Sequence, residues 1–425
     1  MQLRVPARAD QAHASTSHRS ILVRRLMLGT LALLAMLLTP LGVGQAAART
    51  LYVAPSGVNS ANDCQSSIRP CASFDTAYHA ALAGDIVEAA GGTYPGQTLT
   101  RDATKTGGAN VVIRPALAAS VTVSGSININ TSYVTVQGMK VVDIGVRPND
   151  VPSPPLVTGV TLRDMDARNF GIDSATNVSV LGGDYGPASA CGGPYGGSNN
   201  SIRRNYGTQP TNILIDGARI HDVQSYDLNA CHIEGLAIFV GTNVTVRNSK
   251  FYGNSIYDIF LQPNSGPILG VTLENNWFAA PVGTNGRRNG SALGFSRVAT
   301  GVTIRNNSFN DVMSLDDDGN SPQFQSFLVT GNIGELLSRN CSSLRGIVFS
   351  YNLLRGTACG GSNASFSGAY PYVRDADDGT LDFHLTGGAA VDRIPAAAAG
   401  VGRDIDGDAR PQGAGVDAGA DEIRR

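Results

Sequence analysis

His232-Ile233-Glu234 places an imidazole and a carboxylate two positions apart. On a strand, side chains at i and i+2 share a face, so His232 and Glu234 stand together while Ile233 turns inward. Such a pair can pass a proton or hold a metal ion. The plainer reading is an exposed strand pair joined by a surface ion pair. Asp227 and Asp258 lie nearby in sequence, preceded by Tyr226 and Tyr257, whose rings can stack on sugars. Lys250 is the only lysine after Lys140. Alternation turns Lys250 outward as a candidate base, although an outward lysine is ordinarily just solvated. Arg287, Arg288 and Arg297 can grip a carboxylate through the planar guanidinium fork, and Arg287 can act as a base only if its pKa falls greatly. The candidate proton acceptors are therefore His232, Lys250 and Arg287. In a hydrolytic scheme, Asp227 and Asp258 or Glu234 form the acid–base pair.

The acidic residues suggest a cation. Asp227, Asp258 and Asp316 each follow an apolar residue (Ile220, Phe251, Phe309) by seven positions, and Asn285 has the same offset from Phe278. Stacked in register, they form one stripe, and stacked carboxylates repel unless a cation or sugar hydroxyls intervene. Calcium, which takes several oxygen ligands, suits that stripe. The alternative is that each Asp caps its own turn. Asp316-Asp317-Asp318-Gly319-Asn320 and Asp404-Ile405-Asp406-Gly407-Asp408 also space acidic groups closely. Neither completes a calcium loop, because Phe327 and Gly415 stand where a bidentate Glu is needed, so structural turns are the expectation. His221-Asp222 is a further pair that can flank Asp227.

These groups meet only if the chain stacks them, and a repeat provides the means. Val134-Thr-Val-Gln-Gly-Met-Lys-Val141 recurs with starts at Val160, Val178, Ile213, Val244, Val271, Val302, Phe327 and Ile347. Apolar residues fall at positions 1, 3 and 8. Positions 1 and 3 obey strand alternation, position 8 opens the next strand, and Asn or Gly between them suits a left-handed turn. A unit of this length signals a solenoid, and the lack of a helical period excludes leucine-rich, TPR and ankyrin arrays. Coils then pair through backbone hydrogen bonds, with like side chains in internal ladders. Asn248, Asn275 and Asn306, at position 5, are candidates for an amide ladder. Ser73 can N-cap a short helix carrying Phe74, Tyr78 and Leu82 on one face, a plug for the open core just before a first strand at Gly84-Asp85-Ile86-Val87.

The opening Leu51-Tyr52-Val53-Ala54-Pro55-Ser56-Gly57, the helix from Phe74 to Ala83, and Gly91-Gly92-Thr93-Tyr94 resemble the start of secreted pectate-lyase-like proteins. The end resembles a closing motif of that superfamily: Asp382-Phe383-His384-Leu385, Asp404-Ile405-Asp406-Gly407, Arg410-Pro411 and Asp417 to Glu422. The resemblance implies an all-β fold, a right-handed single-stranded parallel β-helix with a short N-terminal capping helix. It also implies an extended, often acidic polysaccharide as partner and β-elimination assisted by calcium as the usual chemistry. It transfers no catalytic residue, since the superfamily also holds hydrolases, epimerases and adhesins. A glycoside hydrolase and a non-catalytic, adhesive, carbohydrate-binding β-helix remain the alternatives.

Arg24-Arg25 before the apolar run Leu26–Leu38, then Ala46-Ala47-Ala48, reads as a secretory signal over residues 1–48, of ordinary or twin-arginine type. The β-helix domain then spans 49–425, with cap and first coils at 49–100, central coils at 101–370 and a closing segment at 371–425. No later segment is an expected membrane anchor, and a released monomer is the expectation. Six cysteines fit an oxidising compartment; the expected pairs are Cys64–Cys71, Cys191–Cys231 and Cys341–Cys359. With 32 basic and 34 acidic side chains, phosphate-driven binding of nucleic acid is not expected.

Overall fold

Each repeat start sits beside the next. Val134 pairs with Val160, Val160 with Val178, Val178 with Ile213, Ile213 with Val244, Val244 with Val271, and Phe327 with Ile347, all in parallel. The computed structural model describes residues 47–148, 155–227, 231–280, 290–296, 299–315, 325–336 and 346–424. The expected signal sequence lies almost wholly outside them. Twelve strands stack in chain order into one sheet, from Thr50–Val53 to Ile347–Ser350. A typical coil adds two further strands, such as Lys250–Tyr252 and Tyr257–Leu261, before returning at Ile268–Glu274. The fold is a right-handed parallel β-helix.

Alternation builds the core. Val134, Val136, Val160, Leu162, Val178, Val180, Val244 and Val246 are fully buried, each contributing about 1.5–3 kcal/mol. Position 8 is also internal, and Phe251, Phe278 and Phe309 stack with ring centroids 5.0 and 4.7 Å apart. Two left-handed corners frame every strand of the repeat. One holds Tyr133, Gly159, Asn177, Asn212, Asn243, Gly270, Gly301, Ser326 and Gly346; the other lies five residues further on and includes Gly138, Asn248, Asn275, Asn306 and Tyr351. Asn and Gly tolerate this backbone, which is why they recur there. The rest of the coil varies in length.

The buried amide ladder sits one position later than expected. The Asn276, Asn307, Asn332 and Asn352 backbone N–H groups each donate to the next side-chain carbonyl, at Asn307, Asn332, Asn352 and Asn363, over 2.9–3.0 Å. Position 6 points inward after the turn and must satisfy its own polar group, whereas position 5 lies at the corner. Among the expected members, Asn275 reaches Asn248 at 3.4 Å, and Asn306 donates instead to the Asp417 carbonyl.

The capping helix covers Phe74–Ala80, and Ser73 Oγ accepts from the Thr76 N–H at 3.2 Å. Phe74 and Tyr78 are buried, but Leu82 lies beyond the helix end and is exposed. The first strand is Thr50–Val53, paired with Ile86–Ala89, so the strand expected to be first is second. Between Gly186 and Thr211 the chain forms strands Ala188–Ala190 and Asn200–Arg203. Cys64–Cys71 and Cys191–Cys231 are disulfides. Cys359 is disulfide-bonded, while Cys341 lies outside the described residues.

Candidate functional site

His232 and Glu234 do meet, but not on a strand: residues 231–234 have no regular structure. His232 is half-exposed and its Nδ1 contacts the Glu234 carboxylate, which is buried. Ile233 packs inward with Ala188 and Val223. Asn199 Nδ2 donates to Glu234 Oε2 at 3.0 Å, and the adjacent Cys191–Cys231 disulfide pins this corner. The His232 ring lies 6.0 Å from Tyr257 and 5.8 Å from Phe260. The Glu234 hydrogen bond raises the His232 pKa against an opposing effect of burial.

The acidic stripe does not form between Asp227 and Asp258. Leu236 pairs with Ile259, which sets Asp258 beside Gly235 rather than beside Asp227. The coil that holds Asp227 is longer between its second and third strands, so equal spacing from Ile220 and Phe251 does not mean equal height. Asp227 is exposed, whereas Asp258 is fully buried. Asn254 Nδ2 donates to Asp258 Oδ1 at 2.7 Å, and Oδ2 finds no hydrogen-bond partner among the described residues. Burial raises the Asp258 pKa well above the carboxylate range, with Asp311 and Asp377 adding to it and Asn254 opposing. Asp316, Asn285, Arg287, Arg288 and Arg297 lie outside the described residues.

Lys250 belongs to a different assembly. Strand Lys250–Tyr252 buries Phe251 and turns Lys250 and Tyr252 outward. The strand below does the same: Arg219 pairs with Lys250, Ile220 with Phe251 and His221 with Tyr252. The His221 and Tyr252 rings stack at 4.9 Å, 7° from parallel. His221 Nε2 meets Asp184 at 2.7 Å and its Nδ1 meets Asp222 at 2.7 Å; Asp184 also pairs with Arg219. On the other side Lys250 pairs with Trp277 in the ladder, and its Nζ stands 3.7 Å over the indole. Lys250 is therefore half-buried rather than simply solvated. Burial holds its pKa below the usual lysine value, with Asp406 and Asp382 opposing that effect.

Asp406 and Asp382 come from the closing segment, which docks over Trp277. Phe383 lies 5.8 Å from the indole, and His384 meets it edge-on at 5.0 Å. His384 contacts Asp382 through Nδ1 and Asp406 through Nε2, the latter at 2.6 Å. Asp421, buried, accepts the Leu385 N–H at 2.8 Å. Burial opposes charge on His384, but Asp406 and Asp382 outweigh it and raise its pKa. Arg410 anchors the segment: it is buried, donates to the Asp417 and Gly419 carbonyls at 3.0 Å each, and lies 3.8 Å from Glu422. Asp404 plays the structural turn role expected, with Oδ1 accepting from the Asp406 and Asp408 N–H groups.

Among the described residues, one group sets three metal-ligating side chains together: one donor atom each of His384, Asp406 and Asp421 lies within 4.8 Å of the others. One imidazole nitrogen with two carboxylates suits a zinc- or manganese-like ion better than the all-oxygen shell of calcium. Asp382 on the far ring nitrogen has the placement of an outer carboxylate that fixes the histidine tautomer. The sequence does not single out Arg219, Tyr252, His384 or Asp421 as site residues, and its acidic run assigns Asp406 to a turn. The signal available was the matched pair Arg219-x-His221 and Lys250-x-Tyr252 at equal repeat positions.

No family model matches this sequence, and no curated protein does. Among solved structures, pectate lyase Pel9A is similar at 15% identity and TM-score 0.47, over 90% of this chain and 98% of that one. XylC in complex with xylose is similar at 10% identity and TM-score 0.44, over 87% and 98%. A rhamnogalacturonan lyase is similar at 12% identity and TM-score 0.36, over 72% and 87%. These likenesses carry no residue role and no activity across.

Proposed function

We propose that the protein binds an extended acidic polysaccharide and cleaves it by β-elimination, with Lys250 as the base. One observation supports this above the others: the lysine whose pKa burial lowers stands on an accessible wall, two residues from Tyr252 and beside the closing segment's His384, Asp406 and Asp382. A base for this reaction must be neutral part of the time near neutral pH, and desolvating an ammonium moves it that way. The neutral Lys250 amine takes the proton next to the uronate carboxylate. The C–H electron pair becomes the new ring double bond as the glycosidic C–O bond breaks. Burial raises the pKa of the Tyr252 phenol, which keeps it protonated and able to donate to the departing oxygen. Along a strand, residues i and i+2 lie about 7 Å apart, a spacing that lets the two groups flank one sugar unit. Arg219, exposed beside Lys250, faces the polymer's negative charge. A divalent cation held by His384, Asp406 and Asp421 would supply charge neutralisation at the uronate carboxylate.

A second reading places the chemistry at His232 and Glu234. It is favoured by the buried Glu234 partner of a half-exposed histidine flanked by Tyr257 and Phe260. The deciding experiment incubates the protein with polygalacturonate, alginate and neutral glucans, with and without chelator, and follows ultraviolet absorbance of unsaturated products. Lys250→Ala should lower that signal at least about a hundredfold, the scale of general-base catalysis, while His232→Ala leaves it within a few-fold. The reverse pattern moves the site to His232. New reducing ends without ultraviolet absorbance indicate hydrolysis, and neither product refutes cleavage of these polymers.

A further inference from the structure

Far from both clusters, the early coils hold a pocket of about 310 Å³, a volume that accommodates one sugar unit. Its lining includes Arg101, Asp102, Lys105, Asn130, Tyr133 and Leu156. Lys105 and Asp102 are paired at 2.6 Å and largely buried, so they cancel. Arg101 is exposed and makes no ion pair among the described residues, which leaves the pocket one net positive charge, carried by a guanidinium free to bind. Half-exposed Leu156 adds an apolar patch at the rim.

Tyr133 supplies the independent clue. It occupies the left-handed corner with φ 57°, where the equivalent residues in the other coils are Gly, Asn or Ser. A bulky side chain is costly in that backbone, and the corner itself requires none. Its ring lies over Gly159, where even a Cβ would come within 2.7 Å of it. The coil above is thus cleared for this aromatic, which forms part of the pocket lining.

We infer that this pocket binds a single uronic-acid unit, with Arg101 on the carboxylate and Tyr133 against the ring face. The inference stands apart from the reaction at Lys250, and either can fail alone. Calorimetric titration with galacturonate, galactose and trigalacturonate tests it. Galacturonate should bind saturably and about tenfold or more tighter than galactose, the worth of one charge-assisted contact. Arg101→Ala should erase that difference. Tyr133→Asn should weaken binding yet keep or raise the melting temperature, because Asn suits the corner; a residue serving only the fold would lose stability instead. If the trimer binds as well as the monomer, the pocket takes a chain end; if the trimer is excluded, it takes a free sugar acid. Both outcomes uphold the site. Equal binding of galacturonate and galactose, no saturable binding, or an unaffected Arg101→Ala variant would overturn it.

Discussion

The corner at His232 and the wall at Lys250 are built in opposite ways. The corner is local: His232 and Glu234 are two residues apart, and Cys231 ties them to Cys191. The wall is remote: Lys250 sits in a central coil, and its acidic neighbours arrive with the closing segment. A covalent tie holds the first and docking holds the second. The wall should therefore be the part that can be undone without disturbing the rest.

The largest effect expected follows from that docking. Arg410→Ala leaves Glu422 buried without its cation and removes two bonds to backbone, a loss of about 3–5 kcal/mol. Trp277 is the only tryptophan and lies under this segment, so its fluorescence should shift to the red as the segment releases. Protection from amide exchange around His232 should not change. Equal loss at both places would show that the two regions are not independent.

Removing the tie is the converse. Cys191→Ser with Cys231→Ser opens a loop of 40 residues and should cost about 2–4 kcal/mol, seen as faster amide exchange around residues 188–238. Trp277 emission should stay as in the parent. Asn307→Ala is expected to cost about 1–3 kcal/mol in denaturant unfolding, because it strips partners from Asn276 and Asn332 inside the core. It should weaken the Trp277 side, where the ladder runs, more than the His232 side.

The smallest effect is the pH response of the corner. Glu234 raises the His232 pKa, so the pair's contribution is fully present below the ordinary histidine value of about 6.5. It is lost as pH rises through the raised value. With His232 half-exposed, the loss should stay under about 1 kcal/mol. Histidine NMR titration should show the raised value, and Glu234→Gln should return it toward normal.

Much of the fold could be read before the structure, and the reason is metric. From the strand at Val134 onward the two left-handed corners of each coil stand five residues apart, so repeat positions 1 to 8 keep their height. The strand starts, the position 8 aromatics and the outward turn of Lys250 followed from that. Beyond position 8 coil length varies, and spacing no longer reports height. Asp227 and Asp258 therefore share a count but not a level. The amide ladder was misplaced by one residue because corner and interior Asn look alike in sequence. The partners of Lys250 were hidden for a third reason: the closing segment follows no repeat, and no spacing rule says which coil it will cover.

The constant interval has an evolutionary meaning. Because each coil enters and leaves the shared sheet at the same two points, genetic duplication or excision of a whole coil joins compatible ends and leaves the neighbours' hydrogen bonding intact. Lineages of such a chain can change length in whole coils, and innovation concentrates in the stretch whose length is not fixed.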